Sequence, residues 1–142
     1  MNICVDTSFL ASLYSIEVHS PEASRRMAQR PTVWVTQLNR AEMVHAFHNQ
    51  IFRSKITTAE ARLAWNNFTD DCKQGVWSLV DSPDMMWETC VDLGRRYGAT
   101  IGVRTLDSLH VAFALELKAQ KFWTFNARQA KLAEAVGLDT NP

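Results

Sequence analysis

The sequence contains no apolar run approaching the roughly 18 residues that a membrane span requires. Cysteine is scarce and unpaired: Cys4, Cys72 and Cys90 are odd in number and far apart, which argues against a disulfide framework or a zinc cluster. All three read as small buried hydrophobes. No excess of either charge exists, because 15 basic residues face 15 acidic ones, so any contact with nucleic acid must come from a local patch. No basic segment precedes the first apolar stretch, and Asp6 interrupts it. No signal peptide is read there, and a cytoplasmic protein without membrane attachment is expected. Repeats, linkers and low-complexity segments are missing too. What remains is 142 residues, 46% hydrophobic and 21% charged, the size and balance of a single globular domain over residues 1–142.

Strand-like and helix-like segments alternate along the chain. Ile3 and Val5 are β-branched and lead into Asp6-Thr7-Ser8, where the hydroxyls suit a helix N-cap and Phe9, Leu10 and Leu13 follow at helical spacing. Ser20-Pro21-Glu22 opens a short helix through Ala28, and Thr32–Val35 is a second strand. Thr36 caps a long helix with its apolar stripe at Leu38, Ala41, Val44, Phe47 and Ile51. Thr57 and Glu60 form a capping box for the next helix, which Gly75 stops. Val76–Val80 is a third strand, and Ser82-Pro83 opens a helix ended by Gly98. Ala99–Val103 reads as a short extended piece. Thr105 then caps a helix with a buried row at Leu106, Leu109, Phe113 and Leu117. Lys121–Phe125 is the last strand, and a helix over 127–136 closes at Gly137. Such alternation predicts an α/β fold, three layers α/β/α around a central parallel sheet of four to five strands.

Three acids stand out by position. Asp6 follows the first strand, Glu42 lies two turns into the helix after the second, and Asp107 is in the first turn of a later helix. Singly, each has an ordinary explanation as a cap, a solvated helix acid or a partner for the helix dipole. Together at the carboxyl ends of the strands, where open α/β sheets bind ligands, they repel one another unless a cation holds them, and oxygen-only ligation suits Mg²⁺ or Mn²⁺. Two acid–histidine pairs at a spacing of three, Glu42 with His45 and Asp107 with His110, resemble the spacing of di-iron carboxylate bundles. The interrupting strands argue against a four-helix bundle, and His110 reads as a hydrogen-bonded helix histidine. A haloacid-dehalogenase phosphatase would want a second Asp where Ser8 stands.

Four segments in order carry a family resemblance: Val5-Asp6-Thr7-Ser8, Gln37-Leu38-Asn39-Arg40-Ala41-Glu42, Thr105-Leu106-Asp107-Ser108-Leu109-His110, and Trp123-Thr124-Phe125-Asn126-Ala127-Arg128. Over nearly its whole length the chain resembles PIN-domain ribonucleases of the VapC kind, the toxins of bacterial toxin–antitoxin pairs. The resemblance implies a Mg²⁺- or Mn²⁺-dependent endoribonuclease, with Asp6, Glu42 and Asp107 as catalytic metal-binding acids. Thr7, Ser8 and Asn126 would support them, Asn126 standing where many relatives carry a fourth Asp. It also implies an RNA substrate, a cognate antitoxin docked in the groove of the helix hairpin, and a homodimer. Arg104 and Arg128, each a few residues from a site position, are the candidates for RNA phosphates. The alternative is a catalytically weak PIN domain that serves as a protein- or RNA-binding module.

Overall fold

A computed structural model describes residues 1–142. In chain order it contains β1 (Asn2–Val5), α1 (Thr7–Ala11), α2 (Ser20–Met27), β2 (Thr32–Val35), α3 (Gln37–Phe52), α4 (Thr58–Lys73), β3 (Trp77–Leu79), α5 (Met86–Ile101), α6 (Thr105–Glu116), β4 (Lys121–Trp123) and α7 (Ala127–Ala135). The four strands are all parallel, in the order β3-β2-β1-β4. From β1 the sheet grows in both directions, so the carboxyl end of β1 lies at a topological switch point.

Alternation along each strand sends side chains to opposite faces. Ile3 and Val5 join Val33, Val35, Phe9, Phe47, Phe68 and Trp77 in the core beneath α1 to α4. Cys4 faces the other way, into a core with Leu93, Leu109, Phe122 and Leu132 beneath α5 to α7. The expected three layers are present, with four strands. No helix is long and apolar enough to cross a membrane.

Several local expectations give way to geometry. The segment at 99–101 is helical: α5 runs through Gly98 and ends at Gly102, whose φ of 73° provides the left-handed residue that Gly98 was expected to supply. The same helix begins at Met86, after a turn, rather than at Ser82. Asp6, not Thr7 or Ser8, caps α1 by accepting from Phe9 N, and α6 is entered from Arg104 without a side-chain cap. Leu106, expected in the buried row, is half exposed. In α3 the buried positions are Asn39, Met43 and Phe47, so the inward face is rotated from the expected stripe. Asn39 is the reason: its side chain completes a capping box with Thr36 and donates to Val5 O at 3.3 Å, which pulls it into the interior.

Candidate active site

Asp6 directly follows β1 and is 6% exposed. Its Oδ1 accepts from Phe9 N at 3.1 Å, and Ser8 Oγ stands 2.7 Å from Oδ1 and 2.8 Å from Oδ2. Burial raises its pKa against the opposing pull of these bonds and of nearby His110 and Thr124. An ionised Asp6 is thus under strain that its hydroxyl and amide donors relieve only in part.

Glu42 projects from the second turn of α3. Thr7 Oγ1 donates to its Oε1 at 2.8 Å, and His110 Nε2, from the centre of α6, lies 2.5 Å from the same oxygen. Burial would raise the Glu42 pKa, but His110 and Thr7 outweigh it and hold the carboxyl below its ordinary range. Because an ionised carboxylate only accepts, the imidazole donates through Nε2. Asp107, half-buried in the first turn of α6, is raised chiefly by burial and further by the negative charge of Glu42, while His110 and Arg104 oppose the shift.

These acids come from three different segments; Glu42 and Asp107 share a cavity, and Asp6, which lines neither that cavity nor the adjoining one, is linked to them through nearby His110. Glu42, Asp107, Asn126, Arg104 and Arg128 line one cavity. Thr7, Ser8 and Glu42 line the adjoining one. Asn126 caps α7 by accepting from Arg128 N at 3.0 Å and Gln129 N at 3.1 Å, so its carbonyl oxygen is already engaged. Gln129, fully buried, donates to Asp107 O at 3.1 Å and accepts from Thr124 Oγ1 at 2.7 Å. It ties the turn carrying Asp107 to the end of β4.

The sequence motifs mark the acids together with Thr7 and Ser8, which bond Glu42 and Asp6, but not the roles of His110, Asn39 and Gln129. His110 is the hydrogen-bonded helix histidine that the sequence predicts, and its partner is Glu42. It is the one imidazole that bears on all three carboxylates. The spacing of Asp107 and His110 on one helix face is the signal that points there. Asn39 and Gln129, both buried amides, carry no comparable signal.

The model of the PIN-domain family matches residues 3–135. The chain belongs to the PIN-domain family. Among solved structures, this PIN domain is similar to Mycobacterium tuberculosis VapC20, a sarcin–ricin loop cleaving toxin, with a TM-score of 0.70 and 19% identity over 99% of both chains. It is also similar to FitAcB of Neisseria gonorrhoeae, at TM-score 0.67 and 13% identity, over 99% of this chain and 97% of that one. VapBC2 of Rickettsia felis, bound to a DNA fragment from its promoter, superposes at 0.64 with 17% identity over 99% and 98%. No curated protein matches the sequence.

Chemically, the carboxylates of this PIN domain are a hard, oxygen-only donor set of the kind that Mg²⁺ and Mn²⁺ prefer. No three His, Cys, Asp or Glu side chains are grouped closely enough to hold a metal ion as they stand. The fit rests on charge: two of the acids have raised pKa values, and a cation between them would remove that penalty.

Proposed function

We propose that the protein is a divalent-metal-dependent endoribonuclease, the toxin of a toxin–antitoxin pair, acting in the cytoplasm. The observation that supports this reading is a cavity lined by Glu42 and Asp107, with His110 hydrogen-bonded to Glu42 and close enough to Asp6 and Asp107 to act on their charge. Asp6, Glu42 and Asp107 would hold Mg²⁺ or Mn²⁺. Such an ion, when bound, supplies an acidified water and charge neutralisation for phosphodiester hydrolysis. Ser8 and the amide of Phe9 aim Asp6; Thr7 and His110 aim Glu42. Arg104 and Arg128, both exposed beside Asp107 and Asn126, hold the RNA phosphates.

Phe52 and Leu63, left exposed on the α3–α4 hairpin, are the apolar side chains that an amphipathic antitoxin helix would cover. Trp87 and Val91, one turn apart on α5 and exposed, supply an apolar strip for a second copy of the chain in a homodimer. The similarity to a toxin that cleaves the sarcin–ricin loop, and to VapBC2 bound to its promoter DNA, supports this assignment.

Labelled RNA incubated with purified protein tests it. Cleavage is expected with Mg²⁺ or Mn²⁺ and not with chelator. Asp6→Asn, Glu42→Gln and Asp107→Asn should each reduce it at least a hundredfold while leaving the far-ultraviolet circular dichroism unchanged. Full activity in all three variants overturns the assignment.

A further inference from the structure

The cavity at the acids does not end there. From Glu42 it continues along α3, past Ser8, Ala11 and Asn49, into a second depression bordered by Gln50, Arg53 and Lys55. From Glu42 to Arg53 is eleven residues, about 16 Å along a helix. Only four of the twelve residues lining the second depression are apolar, and most of the rest carry hydroxyls or amides.

At the far end, Arg53 and Lys55 flank the α3–α4 turn. Ser54 lies between them with φ of 57°, and the turn is fixed by Ser54 N donating to Ile51 O at 2.9 Å and Lys55 N to Gln50 O at 2.8 Å. Neither cation has an ion-pair partner. Of the two acids nearby, Glu17 lines the same depression and accepts from His19 N, and Glu60 accepts from Thr57 N; neither forms an ion pair with Arg53 or Lys55. Two unpaired cations at the end of a polar furrow that begins at the acids complement a chain of phosphates, and a furrow poor in apolar side chains suits an RNA strand better than an apolar helix.

We infer that Arg53 and Lys55 form a remote phosphate clamp, so that single-stranded RNA lies along α3 from the acids to the α3–α4 turn. This rests on the ribonuclease reading for the identity of the ligand, and the test separates the two. Fluorescent oligouridylates of 4 and 12 nucleotides are titrated with the protein in chelator, which keeps the RNA whole. The wild type should bind the 12-mer more tightly than the 4-mer. The double variant Arg53→Gln/Lys55→Gln should lose that advantage, roughly tenfold, and its slope of log affinity against log salt for the 12-mer should fall by about 1.4, or 0.7 per lost phosphate contact. The charge-preserving pair Arg53→Lys/Lys55→Arg should retain both. These residues are exposed, so an unchanged melting temperature is expected to accompany the loss. If the wild type shows this pattern but cleaves no RNA with Mg²⁺ or Mn²⁺, the clamp stands and the nuclease reading falls. If RNA is cleaved yet the double variant binds the 12-mer with wild-type affinity and slope, the clamp is overturned. Loss of a co-expressed protein partner by the double variant with RNA binding intact overturns it as well.

Discussion

The two faces of the sheet are built from different materials. Beneath α1 to α4 the buried cluster is rich in rings: Phe9, Phe47, Phe68, Trp77 and Trp123 fill it. Beneath α5 to α7 the cluster holds Ala112, Ala114, Ala119 and Ala133 with Cys4 and Cys90, and α6 is buried at every position from Ser108 to Ala114. Large side chains keep helices at a distance from a sheet, whereas small ones let a helix lie close. One layer is filled mainly by rings, and the other carries more small side chains. Each contributes one acid, Glu42 from the ring-filled side and Asp107 from the tight side, and Asp6 comes from the strand between. The His110–Glu42 bond crosses from one layer to the other, and buried polar side chains gather where the layers meet.

The largest expected effects test that contrast. Phe47→Ala should cost about 3–5 kcal/mol, because the rings around it cannot close the void. Ala112→Leu should cost about 1–3 kcal/mol by overpacking a helix that has nowhere to move. Denaturant unfolding with unchanged m-values measures both. The contrast breaks if Ala112→Leu is neutral, for that would mean the second layer has spare room.

Which parts of this were legible depends on range. The capping boxes Thr36–Asn39 and Thr57–Glu60 involve neighbours in sequence; the second was read directly from its motif, and the first from its Thr36 cap. The strands follow from β-branched and aromatic runs, and of the acids Asp6 and Asp107 stand at element ends while Glu42 lies within α3. Gly98 misled because glycine is a frequent helix stop, yet the left-handed residue that ends α5 is Gly102. The polar interior was hidden because its bonds span 68 residues between His110 and Glu42 and 34 between Asn39 and Val5. No local pattern announces such a partner.

A middling effect should come from the bond between the layers. His110→Ala leaves Glu42 with one donor instead of two, and should cost about 1–3 kcal/mol near neutral pH. Glu42 is held below its ordinary range, so the stabilisation that depends on its charge is complete above that range and is lost as pH falls through the lowered pKa. Melting curves of wild type and variant should therefore converge in acid. A stability gap that persists unchanged at low pH would show that His110 acts through packing alone.

The smallest effect has the opposite sign. Asp6 has a raised pKa, so its charged form destabilises the metal-free fold at neutral pH and this penalty disappears as pH falls below the ordinary carboxylate range. Asp6→Asn keeps an oxygen to accept from Phe9 N and removes the charge. In chelator the variant should melt at or slightly above the wild-type temperature at pH 7, and the advantage should vanish in acid. A variant that melts well below wild type at pH 7 would show that the carboxylate is needed for folding.

Calorimetric titration of the wild type, Asp6→Asn, Glu42→Gln and Asp107→Asn with Mn²⁺ tests most directly whether the two layers and the central strand converge on a cation. The wild type should bind Mn²⁺ saturably, and each variant should bind at least tenfold more weakly, since affinity scales with ligand charge and number. Equal affinities across the four proteins, or no binding by the wild type, would contradict the assignment of these three acids to a metal site.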